Sequence, residues 1–274
     1  MQRFAPHRLR TYRLLIYAFA LLAGILALSW LARPYVVTAL GLPGASPVDP
    51  IAAAWSKARA AGSYHFQSDV MQMTVPTAKV TNVGRSSQTQ NFHLEGQTDL
   101  RQNHLEMHLW ADGGSVLQSE SGVAVKVEKG KTFVRQGASG EWRENADMTS
   151  AFAPQGDFMA YLQAVRNIKA NAPETRAGIK LTRYNFTVDG PAFAAYARDQ
   201  IEGAMRAKGE LPNGVNLDIP AYYHDMTGNG ELWIGANGLP LRQILNLDFP
   251  EQRDQTIHAQ IVVDFSHFGT PTLS

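Results

Sequence analysis

Hydrophobic and polar residues alternate most clearly between Met226 and Gly269, MTGNGELWIGANGLPLRQILNLDFPEQRDQTIHAQIVVDFSHFG. One run sets Leu241, Leu245, Leu247 and Phe249 against Arg242, Asn246 and Asp248. The next sets Ile257, Ala259, Ile261, Val263 and Phe265 against His258, Gln260 and Asp264. A two-residue period puts each set on one face of a strand, so the stretch predicts three antiparallel strands, wet on one side and covered on the other. Asn229-Gly230 is expected to open the first strand and Asn237-Gly238 to turn it into the second. The polar patch Pro250 to Gln255 is expected to join the second to the third. Asn-Gly suits a type I′ turn because both central residues need a positive φ.

The same reading orders the rest of the chain. Asp49-Pro50 before IAAAWSKARAA predicts a short helix, with Asp49 as N-cap, Pro50 in the first turn and Gly62 as the stop. Strands are expected over Ser63 to Val75, Gln88 to Leu100 and Asn103 to Trp110, the last with Leu105, Met107 and Leu109 inward. Val123 to Glu128 and Lys131 to Arg135 form a hairpin through Lys129-Gly130. Gly156 to Ile168 then spaces Phe158, Leu162, Val165 and Ile168 like a helical stripe. Thr182 to Asp189 returns to strand. Gly190-Pro191 starts a second helix, with Phe193, Ala197, Ile201, Ala204 and Met205 opposite Arg198, Glu202 and Arg206, and Gly209 to His224 reads as a loop. The order predicts one α+β domain, residues 50–274, in which helices cover one side of a long antiparallel sheet.

Leu14 to Ala32 is nineteen residues without a charge. As a helix it would span ~28 Å, the thickness of a bilayer core. It reads as a single transmembrane signal anchor, 14–32, behind a basic cytoplasmic tail, 1–13, and before a linker, 33–49. Arg8, Arg10 and Arg13 hold the N-terminus in the cytoplasm and send the body across, making an extracytoplasmic domain, periplasmic or at the cell surface. The competing reading is a cleaved signal peptide, disfavoured by the length of the apolar run and the lack of a small-x-small site after it.

Composition adds exclusions. Hydrophobic residues make up 45% of the chain and charged ones 18%, values of a globular protein. Five of the 25 basic residues and none of the 24 acidic ones fall in residues 1–34, so the body is mildly acidic and argues against a nucleic-acid partner. With no Cys there is no disulfide, no thiolate ligand and no lipidated cysteine. His104-Leu-Glu-Met-His108 resembles a metal motif, but on a strand the two histidines stand ~13 Å apart. Gly228-x-Gly230 with Gly235 reads as turn chemistry and not as a phosphate loop, since no helix follows it. The aspartates and serines form no catalytic spacing. No enzymatic activity, metal or cofactor is called for.

Several segments in this order resemble the superfamily of Lol-type bacterial lipoprotein carriers, and most of all its LppX/LprG-type lipid-binding lipoproteins. They are AAAWSKARAAGSYHFQSDV, the hairpin VKVEKGKTFVR with Trp142 after it, GELWIGANGLPLRQILNL, and the closing FSHFGTP. The resemblance covers roughly Pro50 to Pro271. It implies a half-barrel sheet with helices packed on its concave face and an apolar cavity between the layers that accepts acyl chains. On that reading the cavity is lined by Phe66, Val70, Met107, Leu109, Phe158, Leu162, Val165, Phe193, Ala197, Ile201, Met205, Leu245 and Phe249. Met73, Met107 and Met205 would suit flexible ligands, since thioethers repack easily. This chain departs from the family in having a membrane helix where the family has a lipobox Cys, which puts free shuttling between membranes in doubt. The segment Gly190 to Tyr223 reads as an elaboration, a lid over the cavity.

Two functions follow. One is a membrane-anchored extracytoplasmic binding protein for a lipid or acylated ligand, with the cytoplasmic membrane and another envelope protein as partners. The other is a non-catalytic structural or sensory module of a larger cell-surface protein, in which the same apolar faces are a filled core.

Overall fold

The computed structural model describes residues 49–102, 104–112, 122–128, 131–137, 140–144, 162, 164–207, 209, 211–212, 214–218 and 221–270. The basic tail, the expected membrane helix and nearly all of the linker lie outside the described residues. Among those described, no helix is long and apolar enough to cross a membrane.

Helix α1 (Pro50–Ala61) forms where the sequence places it. The Asp49 carboxylate accepts hydrogen bonds from the backbone N–H groups of Ile51 and Ala52, at 2.9 and 3.3 Å. Two of the donors that every helix N-terminus leaves unpaired are thereby met. Gly62 ends the helix in the left-handed region, φ 86°. Ile51, Ala54 and Ala58, spaced at i, i+3 and i+7, are the buried stripe.

The rest of the described chain is dominated by strands: β1 (Ser63–Pro76), β2 (Gln88–Asp99), β3 (His104–Ala111), β4 (Val123–Glu128), β5 (Lys131–Gln136), β6 (Arg143–Glu144), β7 (Val165–Ala170), β8 (Glu174–Arg176), β9 (Ile179–Asp189), β10 (Thr227–Gly235), β11 (Pro240–Gln252) and β12 (Gln255–Ser266). Helices α2 (Gly190–Ala207) and α3 (Ala221–His224) lie between β9 and β10. The strands make one antiparallel sheet in the order β6-β5-β4-β3-β2-β1-β12-β11-β10-β9-β7, with β8 also paired to β9. This mostly antiparallel sheet with few helices is consistent with the half-barrel expectation.

Register gathers the apolar residues on one face. Phe92, Val70, Ile261, Leu245, Gly230 and Phe186 pair in turn across six strands. A second row runs Phe265, Phe66, Gly96, Met107, Val125 and Val134. Helix α1 packs against β1 and β11, α2 against β9, and α3 against β11. All contribute to one buried apolar cluster.

Three expectations are corrected. The stripe read as a helix over Gly156 to Ile168 ends in strand β7, where Val165 pairs with Val188. The register shifts between Arg166 and Lys169, and Asn167 has φ 54°. That bulge turns both Val165 and Ile168 toward the cluster, three residues apart, which is the spacing of a helical face. Next, Asn229-Gly230 is not a turn but lies inside β10, paired with Asn246 and Leu245. Finally, the inward position of β11 before Leu245 is held by Gln243, and Leu241 is only half-buried.

The two expected hairpin joints form where the sequence places them, though the first is not the expected type I′ turn, since Asn237 has no positive φ. Gly238, φ 75°, turns β10 into β11. Arg253 and Asp254, φ 49° and 63°, turn β11 into β12 with two non-glycine residues in the left-handed region.

Candidate functional site

The apolar layer between sheet and helices is built from alternating positions. On β1, Tyr64, Phe66 and Val70 point inward; on β3, Leu105, Met107 and Leu109; on β11, Leu245, Leu247 and Phe249. All nine are buried. From the helices come Ile51, Ala54 and Ala58 of α1 and Phe193 and Ala194 of α2. Tyr223 of α3 sets its ring edge-on to Phe193, centroids 5.5 Å apart. Burial pushes the Tyr223 hydroxyl's pKa up, so it stays neutral across the physiological range.

Of the residues expected to line a cavity, Phe66, Val70, Met107, Leu109, Leu162, Val165, Phe193, Leu245 and Phe249 belong to this one cluster. Met205 is half-buried on α2 and Met73 is exposed. Phe158 lies outside the described residues, as do the side chains of Ala197 and Ile201. Sequence reasoning missed Phe186, Val188, Leu232 and Ile234, which extend the layer across β9 and β10. It also missed two polar members, Gln72 and Gln243. Their alternation with Val70 and Leu245 was the signal that could have placed them inward.

Helix α2 is set by a second carboxylate cap. Asp189 accepts from the N–H of Ala192 at 2.8 Å and pairs with Arg166. That backbone donor, then the guanidinium, holds its pKa below the usual carboxylate value. Glu202, expected on the wet face of α2, is instead buried. It accepts from the Leu217 N–H at 2.7 Å and pairs with Arg206, which also reaches Asn216 and the Val215 carbonyl. The carboxylate thus ties the loop after α2 back onto the helix. Its pKa is lowered chiefly by the Leu217 donor, with Arg206 adding to it against burial.

The outer face is polar. A groove of about 690 Å³ runs over it, bordered by His65, Gln67, Glu95, Glu106, His108 and Arg135 among others. His104 and His108 both lie on β3, as expected of a strand. His93 sits between Asp69 and Asp112, at 2.6 and 3.1 Å. Among the described residues no three His, Asp or Glu side chains are grouped to hold a metal. The arrangement offers apolar surface inside and ion pairs outside.

No protein-family model matches the chain, and no curated protein matches it. Among solved structures, it is similar to the lipoprotein LppX of Mycobacterium tuberculosis at 15% identity, covering 82% of this chain and 95% of that one, with a TM-score of 0.40. It is similar to LprF from Mycobacterium bovis at 12% identity, covering 82% of this chain and 93% of that one, with a TM-score of 0.42.

Proposed function

We propose that this protein is an extracytoplasmic binding protein for a lipid or acylated ligand, held to the cytoplasmic membrane by residues 14–32. The ligand's chains would lie in the apolar layer between sheet and helices. The observation that supports this most is the length of that layer. Apolar inward positions continue from β5 to β9 as one buried cluster, and among the described residues α1 packs on β1 and β11 and α2 on β9. Each methylene taken out of water would contribute ~0.8 kcal/mol, less the cost of ordering the chain. The sequence resemblance to LppX/LprG-type lipoproteins points the same way. Chains would enter as α2 and its tied loop part from the sheet, and no bond need be made or broken.

Native mass spectrometry of the full chain held in amphipol tests this reading. One lipid adduct per chain that survives removal of the amphipol is expected. A bare chain with a melting temperature indifferent to added lipid would favour the filled-core module instead.

A further inference from the structure

We propose that the ligand is a neutral lipid bearing free hydroxyl groups, and that the side-chain amides of Gln72 and Gln243 hold those hydroxyls within the apolar layer. The inference rests on the lipid-binding reading and narrows it to a ligand class.

Both glutamines are inward residues of central strands. Gln72 follows Val70 by two on β1, and Gln243 precedes Leu245 by two on β11. Gln72 is 4% exposed and Gln243 1% exposed, and the side-chain oxygen Oε1 of each is fully buried without a hydrogen-bond partner. A buried amide oxygen left unpaired costs stability, and a leucine or methionine at either place would avoid that cost. Two such amides on a mostly apolar face are explained if something that enters the layer completes them.

The surroundings fit that role. Across the sheet from Gln72 the register runs Ala259, Leu247 and Gly228. Ala259, the immediate partner of Gln72, carries only a methyl, the space at Gly228 is taken by the Leu247 side chain, and on the other side Gln72 pairs with Gln90 of β2. In the row of Gln243 the register runs Val263 and then Ser68, itself buried and polar. Counting residues and strands, the two amides stand ~16 Å apart, so either one can hold the adjacent hydroxyls of a glycerol head group but a single head group does not bridge both.

The chemistry selects hydroxyls. A hydroxyl both donates and accepts, so it satisfies a glutamine amide in either orientation. Among the described residues a charged head group finds no free buried counter-ion. The buried charged residues among those described are Asp99 and Glu202. Asp99 accepts from the backbone N–H groups of Arg101 and Gln102, and Glu202 is held by Leu217 and Arg206. A site built to bond a hydroxyl discriminates strongly against the analogue that lacks it.

The test uses the full chain in amphipol and a clickable diazirine analogue of palmitoyl glycerol, with labelled peptides mapped by mass spectrometry. Two competitors share one acyl chain: monooleoyl glycerol, with two free hydroxyls, and methyl oleate, with none. In the wild type, monooleoyl glycerol is expected to displace the probe from β1, β3 and β11 at a concentration at least tenfold lower than methyl oleate. In the Gln72→Leu/Gln243→Leu variant labelling should persist and that preference should fall below threefold. The Gln72→Met/Gln243→Met variant gives the same reading should the leucines disturb packing. A wild type without preference, or a double variant that keeps it, would overturn the inference and leave lipid binding standing. Absence of labelling on the inner strands of the wild type would instead overturn the lipid-binding reading, and this inference with it.

Discussion

The Phe66 ring lies across Gly96, its register partner on the neighbouring strand, and a Cβ added to Gly96 would stand 2.7 Å from the ring's Cζ. Gly230 and Phe186 repeat the relationship on β10 and β9, also at 2.7 Å. In each pair an aromatic ring fills the space that glycine leaves on the inner face, so the sheet stays covered where it has no side chain of its own.

Both glycines should therefore resist the smallest enlargement. A methyl at Gly96 would also meet the Glu106 carbonyl oxygen, and one at Gly230 the Ile244 carbonyl oxygen. Gly96→Ala and Gly230→Ala are each expected to destabilise the fold by ~1–3 kcal/mol, the usual cost of overpacking. Urea denaturation of each variant against wild type reads this. A midpoint equal to wild type would mean that the rings move aside freely.

The cap on α2 offers a second test. Asp189→Ala removes the acceptor for the Ala192 N–H and the partner of Arg166. A loss of ~1 kcal/mol is expected, as for other N-cap carboxylates. Because the folded-state pKa of Asp189 is depressed, its contribution is present above the ordinary carboxylate value and fades as pH falls through that value toward the lowered one. The gap between wild type and variant should thus narrow on acidification from pH 7 to below pH 4, measured by the same denaturation.

His93 should show the opposite sign. Burial lowers its pKa, but the carboxylates of Asp112 and Asp69 outweigh that, and the net shift is upward from 6.5. A raised folded-state pKa stabilises the fold fully below pH 6.5 and loses its effect as pH rises through the raised value. His93→Gln is expected to cost more at pH 6 than at pH 8.5. An equal cost at both would show that the two carboxylates do not favour the imidazolium. His65 shifts the other way, lowered by burial and then by His267, so the comparison must be variant against wild type at each pH.

The β11–β12 turn has room for improvement. Arg253 holds φ 49°, a region that asparagine enters more readily than arginine. Arg253→Asn is expected to stabilise by a few tenths to ~1 kcal/mol, read as a rise in the denaturation midpoint. A fall would mean that contacts of the arginine side chain outweigh its backbone strain.

Where local signals agreed with tertiary ones, the sequence was legible. Asp49, Pro50 and Gly62 marked both ends of α1 because caps act within a few residues. The alternation in β11 and β12 predicted their buried faces because one side is wet and the other covered. Reading failed where long-range pairing overrode local spacing. Val165 and Ile168 mimic a helix only because a bulge sits between them, and the bulge exists through pairing with β9. Gly230 looked like a turn residue, but the Phe186 ring, which is distant in sequence, accounts for it. Glu202 looked solvated because its partner, the Leu217 N–H, comes from a loop without periodicity. Most of the residues expected to line a cavity are buried in the apolar cluster, because burial follows alternation. Gln72 and Gln243 were passed over because a polar residue in an apolar period reads as noise until the register is known.

The most direct test of lipid binding is where a lipid touches the chain. The full protein in amphipol would be photolabelled with the diazirine palmitoyl glycerol and its adducts mapped by peptide. The account expects adducts on the peptides containing Phe66–Val70, Met107–Leu109 and Leu245–Phe249, at one lipid per chain. Adducts confined to residues 14–32, with those three segments unlabelled, would contradict it.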